Sequence, residues 1–295
     1  VRALITGGEG FVGRHLARHL AACGDEVVVV DLDCDVTQGE QVRSVVSEAV
    51  PEVIYHLAAL AHVGDSWNDP ARVLEVNVIG TAHVLAAARS LTAPCAVIVA
   101  SSAEVYGSVT PEDLPLREDR LPAPASPYAA SKAAAEQISL QAARGFSQRV
   151  IVARPFNHIG PGQAPSFAVP AFAQRILSAR ASGATSLLVG NLSVRRDFTD
   201  VRDVVAAYRL LALHGVSGEI YNIASGQDVS MEEVVARLQE LAGTSLALVP
   251  DDDLMRPLDI PVLRGDSEKL RTATGWQPAY DLNASLAAVL DEVTS

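Results

Sequence analysis

Three glycines spaced three apart, Gly7, Gly10 and Gly13, follow an apolar run and open a helical pattern in "VRALITGGEGFVGRHLARHL". A strand that runs straight into such a turn can fold in few ways. Glycine permits the tight turn, allows the backbone to approach a ligand, and lets the helix pack closely on the strand. The helix start then presents N–H groups without intrahelical partners, which suit a pyrophosphate. Phe11 and Val12 fall inside this turn. Asp31 ends the next apolar run, "EVVVVD", where a carboxylate can accept hydrogen bonds from ribose hydroxyls and repel a 2′-phosphate. These features predict a dinucleotide site that favours NAD over NADP, although a nearby arginine could offset the phosphate. Asp35 and Val36 in "CDVT" follow closely enough to frame an adenine, and Asp35 equally suits a solvated turn.

The same alternation continues along the first half. "VIYHLAA", "AVIVASS" and "RVIVARPFN" are continuous apolar runs separated by alanine-rich helical stretches. Strands of this type are covered on both faces, so the expected fold is α/β: a doubly wound parallel sheet of the Rossmann type. Beyond Asn157 the pattern becomes irregular. It predicts a helix in "FAVPAFAQRILSARASG", a strand in "SLLVGN", helices in "DVRDVVAAYRLLALHG" and "NASLAAVLDEV", and a strand in "EIYNIAS". Another helix, "SMEEVVARLQELAG", opens with Ser230 and Glu233 in capping-box spacing. The expected division is a dinucleotide-binding domain over 1–156, with 199–225 returning to it. A smaller, irregular C-terminal substrate-binding lobe then takes 157–198 and 226–295.

The formal charge of -12 excludes a nucleic-acid surface, which needs a basic face to displace phosphate counterions. An acidic chain can still bind an anionic small molecule through a few focused arginines. The three cysteines show no metal-ligand spacing, so no metal is expected. The start lacks a secretory leader pattern and no apolar run approaches a bilayer's thickness, so the expectation is a cytoplasmic protein without a membrane.

"SPYAASK" sets Tyr128 and Lys132 one helical turn apart, on the same face. An ammonium near a phenol favours the phenolate and lowers its pKa, which would let the tyrosine exchange a proton with a sugar hydroxyl or carbonyl. "SSAEVYG" adds a hydroxyl, Ser102, and a carboxylate, Glu104, after an apolar run. With "HLAA", "VNVIGT", "RPFNHIGPGQ", "RRDFTDVRDV" and "YNIASG", these pieces resemble the extended short-chain dehydrogenase/reductase superfamily, in its nucleotide-sugar (NAD-dependent epimerase/dehydratase) branch, over nearly the whole chain.

The resemblance implies that Ser102 holds the reacting oxygen, Tyr128 is the acid/base, and Lys132 binds the nicotinamide ribose and tunes the tyrosine. It places Asn77 where a helix asparagine supports the lysine through a water. Leu57, Ala58, Ala59, Ser101 and Pro155 would line the cofactor groove, while His56 fits that groove or a packed strand end equally. Asn157, Arg196 and Arg256 would meet a substrate diphosphate, for which the planar guanidinium fork is suited; Arg154 reads as structural. The helices "VLEVNVIGTAHVLAAARS" and "PYAASKAAAEQISLQAA" could form a four-helix homodimer seam, as in many family members, or simply cover the protein's own sheet.

The scaffold serves reductases, epimerases and dehydratases alike. One dehydratase group places an aspartate where this chain has Ala103, so its acid–base pair is broken here; Glu104 remains, as in the GDP-mannose dehydratases. "VVVVDLDCDVT" lacks the loop and third strand usual in epimerases and dehydratases, and this contraction resembles the 4-ketoreductases. The tail "RPLDIPVLRGDSEKLRTATGWQP" resembles the GDP-4-keto-6-deoxymannose reductase group. The resulting expectation is an NAD(P)-dependent reductase of a nucleotide-diphosphate 4-keto-6-deoxyhexose. The alternatives are a 4-epimerase or 4,6-dehydratase with tightly bound NAD and, more distantly, a non-catalytic dinucleotide sensor.

Overall fold

The computed structural model describes residues 1–251, 254 and 260–294. Its first half runs β1 (Arg2–Thr6), α1 (Phe11–Ala22), β2 (Glu26–Val30), α2 (Gly39–Ala49), β3 (Val53–His56), α3 (Pro70–Leu74), α4 (Gly80–Ser90), β4 (Ala96–Ala100), α5 (Pro127–Phe146) and β5 (Val150–Pro155). The second half continues with β6 (Asn157–Ile159), α6 (Ala168–Ser182), β7 (Ser186–Val189), β8 (Arg195–Asp200), α7 (Val201–His214), β9 (Ile220–Ile223), β10 (Asp228–Ser230), α8 (Met231–Leu241), β11 (Ala247–Pro250), β12 (Val262–Leu263), α9 (Glu268–Thr274) and α10 (Leu282–Thr294).

The main sheet is six-stranded and parallel in the order β2-β1-β3-β4-β5-β9. Residues of β4 and β5 are buried almost throughout, because helices cover both faces. One core lies around α1 and α7 and includes Ile5, Leu16, Val204 and Tyr208; the other lies around α2 and α4 and includes Leu4, Val42, Val84 and Val97. Strand order reverses between β1 and β3, which opens a crevice at their carboxyl ends. Among the described residues no strand stands between β2 and α2, so β2 is a sheet edge and Val29 is 39% exposed.

In the remainder, α6, α8 and α10 pack together around Ala173, Val234 and Leu286. They stand against a sheet ordered β10-β8-β12, with β6 paired to β8. The capping box of α8 is formed: Ser230 Oγ accepts from Glu233 N at 3.1 Å, and Glu233 Oε2 accepts from Ser230 N at 2.7 Å. β9 pairs with β5, and α7 packs on α1. The sequence assigns α9 to the lobe, yet Leu270 and Trp276 are buried in the core around α7. The Trp276 indole N–H donates to the Asp203 carbonyl at 2.9 Å, and Asp203 accepts from Ala279 and Tyr280 N–H, which straps the tail across α7.

α3 and α4 join through a π-helical turn, Glu75–Ile79, into one helix over Pro70–Ser90. Its 21 residues are long and apolar enough to cross a membrane by length and composition, which corrects the expectation that no such segment exists. Arg72, Glu75, Asn77 and His83 interrupt the apolar run in the sequence, but the mean hydropathy still reaches 1.2. Half of that window is buried inside the protein.

Candidate active site

The glycine turn is a cradle that side chains would fill. Gly7 has φ +69°, and a Cβ there would lie 2.7 Å from Ala58 N. A Cβ on Gly13 would lie 2.3 Å from the Gly7 carbonyl oxygen. Gly10 caps α1 in an extended conformation, and its N–H donates to Gly7 O at 3.3 Å. Across the crevice, Leu57 N donates to Thr6 O at 3.1 Å and Ala58 N to Thr6 Oγ1 at 3.4 Å, with Ala59 following half-buried. Glu9 N donates to Asp31 Oδ2 at 2.8 Å, which fixes this carboxylate beside the turn. Close backbone approach, a helix start and an acidic strand end fit a dinucleotide.

The surrounding residues are tied down locally. Thr37 donates to Asp35 Oδ1 from N at 2.9 Å and from Oγ1 at 2.8 Å, and these bonds hold the Asp35 carboxyl below its usual range. Val36 is buried against Gly80, where a Cβ would lie 2.7 Å from Val36 Cγ2. Val12 is half-buried, and the Phe11 ring stacks on His158 with centroids 6.1 Å apart. His56 is a packed strand end: Thr6 Oγ1 and Thr81 Oγ1 flank its ring nitrogens at 2.8 and 3.0 Å, and burial pushes its pKa down to about 3.

Ser102 leaves β4 and caps a short 3-10 turn, Ala103–Tyr106, its Oγ accepting from Glu104 N at 3.2 Å. Gly107 closes the turn at φ +67°; a Cβ there would sit 1.8 Å from the Ala123 carbonyl oxygen. Ala123 N in turn donates to Val105 O at 2.9 Å, so the chain entering α5 lies against this turn. α5 starts with Ser126 accepting from Ala129 N at 3.1 Å and with Pro127 in its first turn, where a missing N–H costs nothing. Tyr128 and Lys132 follow, both buried, at 8% and 6% exposure.

Tyr128 is hydrogen-bonded to Ser102, and Glu104 is near enough to act on its phenol. Burial pushes the phenol up to about 12; the Ser102 bond opposes the rise and the Glu104 charge adds to it. The expectation that Lys132 lowers this pKa is therefore corrected. The Lys132 ammonium donates to the Ala100 carbonyl at 2.8 Å and lies 6.0 Å from the tyrosine ring centre. Burial pulls Lys132 itself down to about 8, against the opposing charge of Glu136.

Asn77 sits in the π-helical turn, a local geometry often found at functional sites. Its side chain accepts from Leu60 N at 2.8 Å and donates to Leu60 O at 3.1 Å and to Ser131 Oγ at 2.8 Å. Ser131 Oγ donates to the Tyr128 carbonyl at 2.7 Å, so Asn77 reaches α5 through Ser131. Ser101 is buried with its hydroxyl directed to Glu136, and Pro155 is buried at the end of β5. Neither Ser131 nor Glu136 stood out in the sequence, although Glu136 repeats the one-turn spacing after Lys132 in an otherwise alanine-rich stretch.

Asn157 and Arg196 stand on adjacent parallel strands. Asn157 pairs with Phe198, two residues past Arg196 on β8. Arg196 Nη1 donates to the carbonyls of Arg195 and Ile260 at 2.9 and 2.7 Å. Arg256 lies outside the described residues.

Comparison with known proteins matches residues 3–224 to the family described as the NAD dependent epimerase/dehydratase family. The chain is 37% identical to GDP-6-deoxy-D-mannose reductase of Pseudomonas aeruginosa, over 99% of this chain and 96% of that protein. A solved structure of RMD from Pseudomonas aeruginosa complexed with NADPH superposes with a TM-score of 0.91 at 37% identity, covering 99% of both chains. UDP-glucose 4-epimerase of Thermus thermophilus in complex with NAD gives a TM-score of 0.89 at 30% identity, covering 100% of this chain and 99% of that one.

Proposed function

The chain belongs to the NAD dependent epimerase/dehydratase family, whose cofactor is NAD or NADP, and on that premise we propose a reductase of the C4 ketone of a nucleotide-diphosphate 4-keto-6-deoxyhexose, with GDP the favoured nucleotide. The observation that carries this reading is the likeness to GDP-6-deoxy-D-mannose reductase over 99% of the chain, together with the phenol of Tyr128, buried and bonded to Ser102. Such a phenol is protonated at neutral pH and is poised to give its proton to a ketone oxygen.

When bound, NAD(P)H supplies the hydride that forms the new C–H bond at C4. Ser102 holds the ketone oxygen by hydrogen bond, and the Tyr128 O–H bond breaks as its proton passes to that oxygen. Lys132 binds the nicotinamide ribose, and the glycine cradle with the start of α1 holds the pyrophosphate. Asp31, fixed by Glu9 N, favours NAD over NADP. Asn157, Arg196 and Arg256 take the substrate diphosphate. No proton leaves C5 in this reaction, so Glu104 has no obligatory base role. The position of Glu104 beside Tyr128 supports a 4,6-dehydratase, which must remove the C5 proton, as the second reading.

The protein acts in the cytoplasm as a homodimer. Leu74 and Ile79, 45% and 48% exposed, lie on the helix over Pro70–Ser90, whose apolar stretch is only half buried within the subunit, and the neighbouring α5 is rich in small side chains. A seam built from both helices of each subunit would bury that remaining face.

The test is to mix the protein with GDP-4-keto-6-deoxymannose and NADH or NADPH and follow the reduced nicotinamide. Absence of oxidation with GDP-, UDP- and dTDP-linked 4-keto sugars refutes the reading. A purified protein that retains stoichiometric NAD would favour the second reading. A screen of nucleoside diphosphates for thermal stabilisation identifies the base.

A further inference from the structure

Behind the reacting side chains lies a second set of polar groups shut off from solvent. Glu136 is fully buried and Arg154 is 1% exposed. Arg154 Nε and Nη2 donate to Glu136 Oε1 and Oε2, both at 2.7 Å. Ser101 Oγ donates to the same Oε1 at 2.5 Å. On the far side Arg154 Nη1 donates to Tyr106 Oη at 3.0 Å, and that hydroxyl donates to Asn222 Oδ1 at 2.8 Å. One carboxylate thus joins the exit of β4, the strand β5 and the helix α5.

A buried ion pair adds little net stability over an apolar pair of similar volume, because desolvation cancels most of the attraction. Position and charge are what it supplies. We propose that Glu136 is a positioning residue for the reacting pair: it ties the strand end bearing Ser101 and Ser102 to the helix bearing Tyr128 and Lys132, and it sets a fixed carboxylate one helical turn behind the Lys132 ammonium. This rests on Tyr128 and Lys132 being the reacting pair.

The groups facing Lys132 support it. Tyr128 shares its helix, and Glu104 approaches Tyr128 from the turn after β4. From β3 comes His56, which burial keeps neutral, whereas the Arg154 guanidinium of β5 is turned to Glu136 and Tyr106. Glu136 is the carboxylate whose charge opposes the fall in the Lys132 pKa.

The chain holds two lysines, Lys132 and Lys269, so labelling the lysine ε-carbon gives two NMR signals. Lys269, ion-paired to Glu219 at 2.6 Å, serves as the internal reference, and Lys269→Arg assigns it. The double variant Glu136→Gln/Arg154→Met removes both charges together and strands neither. The Lys132 midpoint should fall by about one pH unit in this variant. An unmoved midpoint in the folded double variant overturns the proposal, and because this titration needs no substrate it stands apart from the reductase reading. If the double variant does not fold, Ser101→Ala decides. It should lower kcat about tenfold by freeing the strand end while leaving the Lys132 midpoint in place; a wild-type kcat overturns the proposal.

Discussion

Replacing Gly13 by alanine separates the cofactor cradle from general stability. The added Cβ would lie 2.3 Å from Gly7 O and 2.6 Å from both Gly8 Cα and Gly8 O. All three are backbone atoms, so no side chain can swing aside. Bringing the closest contact to 3.0 Å requires α1 to withdraw from the turn by about 0.7 Å. Overpacking of this kind costs about 1–3 kcal/mol of folding stability. The same shift moves the N–H groups at the helix start off the pyrophosphate, and we expect NAD(P)H to bind roughly 10- to 100-fold more weakly, or about 1.4–2.8 kcal/mol. Gly24→Ala is the control. It has φ +82° but no atom within 4 Å of the added Cβ, so it should cost ~1 kcal/mol of stability and leave cofactor binding unchanged. Urea unfolding and fluorescence titration with the reduced cofactor measure the two effects. Wild-type cofactor affinity in folded Gly13→Ala would refute the cradle.

Tyr128→Phe should lower kcat by about 10²- to 10⁴-fold while NAD(P)H affinity is retained, as measured by steady-state kinetics beside the same titration. The ammonium of Lys132 is present below about 8 and is lost as pH rises through that value, while the Tyr128 phenol stays protonated to about 12. Turnover should therefore decline about tenfold per unit above pH 8, and a profile flat to about pH 10 would exclude a required ammonium. Ile79→Glu places a charge on the apolar helix face proposed as the dimer seam and should yield monomers in sedimentation velocity; an unchanged dimer would exclude that seam.

Local features were readable before the fold was. The turn at Gly7–Gly13, the Ser230–Glu233 cap and the one-turn spacing of Tyr128 and Lys132 are set by neighbours within a few residues. Glu136, and its joining of Arg154 to Ser101, was not, because these residues lie 18 and 35 positions apart and meet only when β4, β5 and α5 assemble. The sense of the Tyr128 shift was misread for the same reason. Charge proximity is visible in a helical spacing, whereas the burial that dominates depends on the whole domain. Trp276 shows the limit for domain boundaries: a tail residue is buried in the first core, and its indole N–H donates to the Asp203 carbonyl.

The bare edge at β2 has a kinetic meaning. A flanking strand would wall in the adenosine half of the crevice, and here Val29 and Leu32 are 39% and 94% exposed instead. A catalyst that consumes its reductant must release the spent form once per cycle, whereas one that regenerates it gains by keeping it. An unwalled adenosine end suits the first regime, and it ties a contracted loop far from the sugar to the rate at which the oxidised dinucleotide departs.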